Sequence, residues 1–313
     1  MPSNNDLDRE DTNAHSGYRG AGFIGSHTVR ALLTVGHEVV VLDDLSTGFR
    51  ENLADTGAEL RVGDLCDRET VESVLAGVSG VVHLAGYVSV PGSLAKPVES
   101  SRINILGTAQ LLESCQTHGV GRLVFASSAA VYGDRATIPV REDSVPEPTS
   151  PYGVQKLAGE HLCRVAAQHG GPDTVSFRFF NVYGARQSPT SDYAAVIPIF
   201  RDRCSLGQPL KIYGDGLQTR DFIHAGDLAD GIVRALTFAS PFSGEVFNLA
   251  RGDATTILEL AREISREAGV EVPIEHAPER TGDIAHSVAD LSKLERVFDW
   301  TPPTPLAEGL KRF

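Results

Sequence analysis

The sequence predicts a doubly wound α/β fold built on a parallel sheet, and three observations lead to that prediction. Short apolar runs alternate with stretches of helical periodicity as far as residue 180. A glycine-rich turn, Gly20-Ala21-Gly22-Phe23-Ile24-Gly25, opens the first of the helical stretches. The next apolar run ends in two aspartates, of which Asp43 lies 18 residues after Gly25. This order is typical of a domain that binds a dinucleotide.

The individual elements follow from the two hydrophobic periodicities. Apolar runs predict strands at residues 38–42, 59–62, 80–85, 122–127 and 174–180. Recurrence every three to four residues predicts helices at 23–35, 68–75, 98–118 and 152–169. We expect residues 19–180 to form the nucleotide-binding domain, with 213–250 partly returning to it. Residues 181–212 and 251–313 are expected to form a smaller α+β domain that binds the substrate.

The composition restricts the class of protein. With 313 residues, 41% of them hydrophobic, the chain can bury a large core. A formal net charge of −13 argues against a broad surface for nucleic acid or for an anionic membrane. No apolar run is long enough to span a membrane, and the four cysteines lack the spacing of metal ligands. We therefore expect a cytoplasmic protein with reduced thiols and no bound metal.

The glycine turn and the following aspartate predict the cofactor. Glycines at this position let the backbone approach a pyrophosphate at the helix N-terminus, where free N–H groups favour anions. Asp43 is placed to accept hydrogen bonds from both hydroxyls of an adenine ribose, and it would repel a 2′-phosphate. The pattern therefore favours NAD over NADP. Asp64, after the third apolar run, could meet the adenine amine.

The spacing of a tyrosine and a lysine predicts that the tyrosine is the catalytic base. Tyr152 and Lys156 are four residues apart in a predicted helix, so both lie on one face. A nearby ammonium favours the phenolate, and we expect it to lower the pKa of Tyr152 toward working pH. Ser128, at the end of an apolar run, could hydrogen-bond the same substrate alcohol.

With these motifs the chain resembles the extended short-chain dehydrogenase/reductase family, and within it the nucleotide-sugar epimerases of the UDP-glucose (UDP-galactose) 4-epimerase type. The resemblance covers nearly everything from Gly20 onward. It implies a Rossmann-type parallel sheet with a smaller C-terminal domain, and Ser128, Tyr152 and Lys156 as catalytic residues. It implies cofactor contacts at Gly20, Gly22, Phe23, Ile24, Gly25, Asp43, Asp64, Leu65, Leu84, Ala85, Gly86, Asn104, Tyr152, Lys156 and Phe179.

The resemblance also implies the substrate and the reaction. Contacts to the nucleotide sugar are implied at Ser128, Asn181, Arg220, Arg280, Asp283 and Ser287. Two arginines can neutralise a diphosphate in an otherwise acidic protein. The implied reaction inverts C4 by transient hydride transfer to NAD through a 4-keto sugar, in a homodimer formed through the helices at 98–118 and 152–169. The small Ser287, at a position that gates the sugar pocket, predicts tolerance of UDP-N-acetylhexosamines.

The residues that follow Ser128 disfavour two chemistries related to epimerisation. The 4,6-dehydratases carry an acid pair just after the catalytic hydroxyl, where this chain has Ala129 and Ala130. Dehydration is therefore disfavoured. The UDP-glucuronate decarboxylases usually place a glutamate in the same region, and it too is absent. Epimerisation of UDP-glucuronate at C4, or another modification of a nucleotide sugar, stays open.

The N-terminal segment departs from the pattern. A fold of this kind begins with an apolar strand that leads into the glycine turn, but residues 8–19 show neither alternation nor an apolar run. We therefore expect residues 1–18 to be disordered and the first strand to be anomalous. Arg19 stands where the family has its first glycine, so its side chain would lie where the backbone must approach phosphate.

A shifted reading frame would account for this departure. Residues 13–19 can be encoded so that reading one base later gives Met-Arg-Ile-Leu-Val-Thr-Gly, which supplies a start, a strand and the first glycine. We hypothesise a frameshift or sequencing error here, against the alternative of a divergent tail. In the chain as written, residues 13–19 either occupy the position of the first strand with poorly suited polar groups or leave it empty, and in both cases we expect NAD affinity to suffer. A second candidate function follows: a catalytically impaired relative that binds sugar nucleotides without turning them over.

Overall fold

The computed structural model of the protein describes residues 14–18, 20–134, 136–188, 195–279 and 284–313, and for residues 14–18 it describes the backbone. The strands are β1 (Ala14–Tyr18), β2 (Glu38–Asp43), β3 (Glu59–Val62), β4 (Val78–His83), β5 (Arg122–Ser128), β6 (Asp173–Phe179), β7 (Asn181–Tyr183), β8 (Leu210–Tyr213), β9 (Thr219–Arg220), β10 (Phe222–His224), β11 (Glu245–Leu249), β12 (Thr255–Thr256), β13 (Ile274–Ala277) and β14 (His286–Ser287). The helices are α1 (Phe23–Thr34), α2 (Arg68–Ser73), α3 (Val90–Ala95), α4 (Pro97–Ser101), α5 (Thr108–Thr117), α6 (Pro151–Gln168), α7 (Val196–Ser205), α8 (Ala225–Leu236), α9 (Ile257–Glu267), α10 (Ser292–Phe298) and α11 (Leu306–Leu310).

A seven-stranded parallel sheet organises the first part of the chain and confirms the predicted fold class. Its order is β11-β6-β5-β4-β1-β2-β3, and every neighbouring pair is parallel. From β1 the chain builds outward first through β2 and β3, and then returns to continue from β4 on the other side. The order therefore reverses between β1 and β4. A crevice opens at the carboxyl ends of the strands at such a point, and open α/β sheets bind their ligands there.

Both faces of the sheet are covered by helices, as the nearly continuous apolar strands predicted. On one face α1 and α8 pack together, and Leu32, Val41 and Phe177 belong to the core on that side. On the other face Leu75, Leu111 and Cys163 form a second core between the sheet and helices α2, α5 and α6. The sheet is thus fixed from two sides, which gives its carboxyl edge a rigid base.

The first strand corrects one expectation. Ala14–Tyr18 is a strand at the centre of the sheet, where it pairs with β2 from Ala14↔Glu38 to Tyr18↔Leu42 and with β4 on its other side. The expected disorder of residues 1–18 is therefore wrong for residues 14–18, while residues 1–13 and Arg19 lie outside the described residues. The physical reason is that β2 and β4 each present a row of backbone groups to this slot. A strand placed there satisfies both rows, whatever its own apolar pattern.

The predicted helix at 98–118 also differs from the structure. It is divided into α4, a π-helical segment at Arg102–Gly107, and α5. A π-helical segment holds an extra residue per turn, and such segments are frequent at functional sites. Here the segment contains the buried Asn104, whose carboxamide pairs with the backbone of Tyr87.

The second part of the chain lies beyond β6. Its strand β11 joins the main sheet beside β6, in the range expected to return there. The other strands form small sheets: β7 with β10, β8 with β13, and β9 between β12 and β14. A separate core around Phe200, Leu210 and Leu260 supports them. Among the described residues, no helix has the length and apolar character needed to cross a membrane.

Candidate active site

Helix α6 begins at Pro151 and carries the predicted catalytic pair. The Ser150 hydroxyl accepts a hydrogen bond of 3.2 Å from the Gly153 amide, and Pro151 occupies the first helical position, so the start of the helix is well defined. Two glycines bring α6 close to β5. A Cβ atom on Gly153 would lie 2.6 Å from the Ala130 carbonyl oxygen, and one on Gly159 would lie 2.4 Å from the Phe125 ring.

Ser128 and Tyr152 are brought together as predicted. Ser128 is the last residue of β5, and its hydroxyl lies close enough to the Tyr152 phenol to lower the pKa of that phenol. The expected net lowering of the pKa of Tyr152 is wrong, however. Burial raises the pKa of Tyr152 above its usual value, and the Ser128 hydroxyl offsets only part of that rise.

Lys156 lies close to this pair. Its ammonium donates a hydrogen bond of 2.7 Å to the Ala126 carbonyl oxygen and lies 5.9 Å from the centre of the Tyr152 ring. The side chain is 3% exposed. Lys156 is therefore held on β5, beside the phenol, as the one-face spacing predicted.

A cavity of about 300 Å³ opens beside Ser128. Ser128, Ala129 and Ala130 form one wall, and Ser287 lies in the lining with Phe179, the last residue of β6. In β14, Ser287 pairs with Arg220 of β9. The predicted gate residue and the predicted catalytic hydroxyl thus line the same cavity, with no carboxylate at positions 129 and 130.

A second cavity, of about 570 Å³, adjoins the first. The two share Phe180, Asn181 and Arg220 in their linings. Beyond this junction the larger cavity is bordered by aliphatic and aromatic side chains, including Ile197, Ile212 and Tyr213. The pair of cavities suits a two-part ligand whose polar link lies at Asn181 and Arg220.

Two of the predicted substrate residues, Arg280 and Asp283, lie outside the described residues.

The residues predicted to hold a dinucleotide lie along the carboxyl edge of the sheet. Asp43 ends β2 and is 2% exposed, and its two oxygens accept hydrogen bonds of 2.9 Å from the amides of Ala21 and Leu45. A carboxylate has about four lone-pair sites and can accept more than two hydrogen bonds, as binding of ribose hydroxyls would require. Helix α1 begins after Gly22 without a side-chain cap and without an acidic residue in its first turn. Its free amides therefore remain suited to a pyrophosphate.

The turn after β4 closes the same edge. A Cβ atom on Gly86 would lie 3.0 Å from the Asn104 carboxamide oxygen and 3.3 Å from the Lys156 ammonium, so only glycine leaves this space open. Leu84 packs on one core of the sheet, while Leu65 and Ala85 belong to the other. Together with α1 and Asp43, these positions fit the shape and charge of NAD.

Asp64 has partners that the sequence did not indicate. It accepts a hydrogen bond of 2.8 Å from the Cys66 amide and pairs with Arg102 at 3.2 Å. Burial raises the pKa of Asp64, but the amide and the guanidinium outweigh it and bring the pKa below its usual range. Asp64 is about half exposed, which leaves it accessible to a ligand's amino group.

The sequence singled out Asn104 but gave no sign of Ser93 or Gln155, which help to hold helix α6. The Ser93 hydroxyl accepts from the Tyr152 amide at 3.1 Å, and the Gln155 carboxamide bonds that of Asn104 at 2.7 Å. Local sequence gives no sign of these contacts, because Ser93 and Asn104 lie 59 and 51 residues away from their partners. Ser150-Pro151 was the one local signal, since serine and proline favour the cap and first position of a helix.

No three His, Cys, Asp or Glu side chains come together as metal ligands in the part of the chain that the structure describes.

Comparison with known proteins gives a consistent result. The family model described as the NAD dependent epimerase/dehydratase family matches residues 20–250. A putative UDP-glucose 4-epimerase of Methanocaldococcus jannaschii is 37% identical over 295 residues, which is 94% of each chain. The structure of a UDP-N-acetylglucosamine 4-epimerase from Methanobrevibacter ruminantium, in complex with UDP-N-acetylmuramic acid, superposes with a TM-score of 0.91 at 36% identity and covers 96% of each chain. That of a Thermus thermophilus UDP-glucose 4-epimerase with NAD has a TM-score of 0.87 at 37% identity, covering 96% of this chain and 97% of that one.

Proposed function

The chain belongs to the NAD-dependent epimerase/dehydratase family, and from that premise we propose that it inverts C4 of a UDP-linked hexose. It is an NAD-dependent nucleotide-sugar 4-epimerase, and hence an isomerase. The observation that carries the choice of substrate is the pair of adjoining cavities. The one that contains Ser128 has room for a hexose, and the larger one, beyond Asn181 and Arg220, has room for a nucleoside.

Bound NAD supplies a reversible hydride acceptor for sugar C4. The chain's own residues handle the proton. Tyr152, as phenolate, accepts the proton of the sugar 4-hydroxyl and later returns it, while Ser128 hydrogen-bonds the same oxygen. Lys156, held on the Ala126 carbonyl, keeps a positive charge beside the phenol and favours the charged form.

The junction of the cavities has a separate role. Asn181 and Arg220 would grip the diphosphate, and the predicted Arg280 and Asp283 would add contacts to diphosphate and ribose. The contacts that supply much of the binding energy would then lie away from the reacting carbon. The sugar can rotate in its cavity while the nucleotide stays in place, and inversion at C4 requires that rotation.

We propose that both UDP-hexoses and UDP-N-acetylhexosamines are substrates, because Ser287 leaves the sugar cavity wide. Ser287→Tyr should lower turnover of UDP-N-acetylglucosamine by about tenfold or more and retain that of UDP-glucose, since the added ring fills the space of the N-acetyl group. Ser287→Ala is the matched control and should turn over both. Both activities are measured by coupled assay of the 4-epimer. Equal turnover of UDP-glucose by wild type and Ser287→Tyr, with no N-acetyl activity in either, contradicts the proposal.

A catalytically impaired sugar-nucleotide binder is the second candidate, and Arg19 is the observation that favours it. Its premise of an absent first strand does not hold for residues 14–18. The arginine at the first glycine position still disfavours a close pyrophosphate. The NAD content of the purified chain, released by denaturation, separates the candidates. Near-stoichiometric NAD with turnover supports the enzyme, while UDP-glucose binding without NAD or turnover supports the impaired relative.

A uronic acid substrate is less well supported than a neutral hexose. A uronate needs a cation or several donors for its carboxylate. The titratable groups in the described lining of the sugar cavity are Arg220, at the diphosphate junction, the imidazole of His286 and the carboxylate of Asp134. A second anion would meet repulsion from Asp134, so UDP-glucuronate should be the poorer substrate.

We also propose a homodimer that forms through the helices around α6. Large apolar side chains are exposed on this side: Leu94 by 62%, Val98 by 83%, Leu106 by 59%, Val154 by 50% and Val165 by 52%. Exposed apolar side chains on neighbouring helices are typical of a protein interface. The double substitution Val98→Glu with Val154→Glu should give a monomer by light scattering. Val270→Glu, on another exposed valine, should leave the dimer intact, and a monomeric wild type overturns the proposal.

A cytoplasmic location completes the proposal. Its support is that the four cysteines, all within the described residues, are free thiols. Cell fractionation of the native producer tests it, and recovery with secreted proteins contradicts it.

A further inference from the structure

A directional chain of hydrogen bonds runs beneath the active site. It starts at the Tyr87 amide, which donates to the Asn104 oxygen at 2.7 Å. Asn104 donates to the Gln155 oxygen at 2.7 Å, and Gln155 donates to the Ser100 hydroxyl at 2.8 Å. Ser100 donates in turn to the Pro97 carbonyl at 3.1 Å.

The groups at the two ends of this row of hydrogen bonds determine which partner donates in each bond. A backbone amide such as that of Tyr87 can only donate, and a carbonyl such as that of Pro97 can only accept. The carboxamides of Asn104 and Gln155 therefore each have one orientation that satisfies the chain. Asn104 is 3% exposed, Gln155 is 2% exposed and Ser100 is fully buried. Breaking one link leaves buried polar groups unpaired, which costs about 1–3 kcal/mol for each group.

Of the residues in this row of hydrogen bonds, only Gln155 lies on α6. The close contacts of Gly153 and Gly159 bring α6 near its neighbours, and the buried Glu160 holds the middle of α6 through Ser127 and Arg178. Nearer to Tyr152, Gln155 adds a constraint on the rotation of the helix, because its carboxamide joins α6 to the π-helical segment and to α4. The next residue is Lys156, whose ammonium lies with the Asn104 oxygen around Gly86.

We propose that Gln155 is a positioning residue for the epimerase reaction: its buried carboxamide fixes the rotation of α6, and thereby the places of Tyr152 and Lys156 relative to Gly86. This inference rests on the proposed function for its effect on turnover. The carboxamide of Gln155 is 2% exposed and its hydrogen bonds go to Asn104, Ser100 and Ser101. It therefore acts through Lys156 and Tyr152 and does not touch substrate.

Gln155→Leu tests the proposal, because leucine keeps much of the volume and removes every hydrogen bond. A misplacement of about 1 Å can cost about 100-fold in rate, so we expect kcat for UDP-glucose to fall about 10- to 100-fold with KM within about threefold. The midpoint of the pH profile of kcat should rise by about one unit, because an opposite charge near the phenol shifts its pKa by that order.

Thr174→Val is the matched control. The Thr174 hydroxyl is buried and donates to the Cys163 carbonyl of α6 at 2.8 Å, far along the helix from Tyr152. This variant loses a buried hydrogen bond to the same helix and should melt earlier, with kcat and its pH midpoint unchanged. If Gln155→Leu does not fold, Ser100→Ala with Ser101→Ala removes the acceptors of the Gln155 amide without changing α6.

A second readout does not depend on turnover. The phenolate absorbance of Tyr152, taken as the difference between a protein and its Tyr152→Phe version, should titrate at higher pH in Gln155→Leu than in wild type. An unchanged titration and an unchanged pH profile, with loss of melting temperature alone as in Thr174→Val, overturn the positioning role. Absence of turnover in wild type contradicts the proposed function instead, and the titration still decides the role of Gln155.

Discussion

The two ends of the active site are held in different ways. At the catalytic end, α6 is fixed by its serine cap, by two glycine contacts and by the buried carboxamide of Gln155. At the dinucleotide end, α1 follows a strand whose sequence has no apolar pattern, and Asp43 holds the turn through the amides of Ala21 and Leu45. The catalytic end is specified by its own residues. The dinucleotide end takes its place largely from its neighbours.

This difference shows that neighbouring strands can hold a segment in a sheet even when its sequence does not favour a strand. Once β2 and β4 are formed, the slot between them offers hydrogen bonds on both sides, and residues 14–18 occupy it. Backbone hydrogen bonds do not depend on the side chains, so residues 14–18 pair with both neighbours. Because they lack an apolar pattern, they contribute less to the stability of the sheet. Substitutions at the catalytic end should therefore affect chemistry, and substitutions at the dinucleotide end should affect stability and NAD binding.

Removal of the phenol is the sharpest test at the catalytic end. Tyr152→Phe should lower kcat by about 10³-fold, because general acid–base catalysis contributes about 10²–10⁴-fold. NAD content should stay at the wild-type level, since the ring and its packing remain. A loss of NAD equal to the loss of rate would break the separation between the two ends.

Replacing the first strand by an apolar one should have the largest effect on the free energy of unfolding. Replacing residues 13–19 by Met-Arg-Ile-Leu-Val-Thr-Gly should raise the free energy of unfolding by about 3 kcal/mol or more, because each large aliphatic side chain buried in the sheet contributes about 1.5–3 kcal/mol. Chemical denaturation measures this. Met-Arg-Ser-Gln-Thr-Thr-Gly is the control, since it restores the glycine without the apolar residues. Equal stability of the two repaired chains would show that residues 14–18 gain nothing from an apolar pattern.

The carboxylate at the end of β2 tests the dinucleotide end directly. Asp43→Asn should weaken NAD binding by about 10- to 100-fold, since hydrogen bonds to a charged group are worth about 1.5–3 kcal/mol and an amide presents N–H groups to two backbone donors. Discrimination against NADP should fall as well, because the charge that repels a 2′-phosphate is lost. Isothermal titration of both cofactors measures the change. Asp44→Asn, on the exposed neighbour, should leave both affinities as they are.

The sequence predicted the parts of this protein that depend on local patterns. The strands, the glycine turn and the one-face spacing of Tyr152 and Lys156 follow from periods of two and of three to four residues. The direction of the pKa shift of Tyr152 depends on burial, which a spacing does not report. Asn104 and Gln155 meet across 51 residues of chain and through a π-helical segment. Such contacts exist only once the fold has formed.

The smallest expected effect concerns acid stability at the dinucleotide end. His27 of α1 bonds the Ala185 carbonyl at 3.0 Å, and burial lowers the pKa of His27 to about 4, with Arg186 acting in the same direction and the carbonyl against it. An unfolded histidine has a pKa of about 6.5, so the unfolded chain binds a proton more readily between these values. The contribution of a neutral His27 is therefore complete above about pH 6.5 and is lost as pH falls toward 4.

His27→Gln should remove this sensitivity while keeping a donor for Ala185. Between pH 7 and pH 5 the wild type should lose about 1–2 kcal/mol more than the variant, as measured by urea denaturation at each pH. The exposed His169→Gln should behave as wild type does. Because α1 is joined to the loop at Ala185 through this bond, loss of NAD at the same pH as the loss of stability would locate the weak point of the protein at α1. Parallel curves for wild type and His27→Gln would place the acid-sensitive group elsewhere, and the contrast between the two ends of the site would then have to be explained without His27.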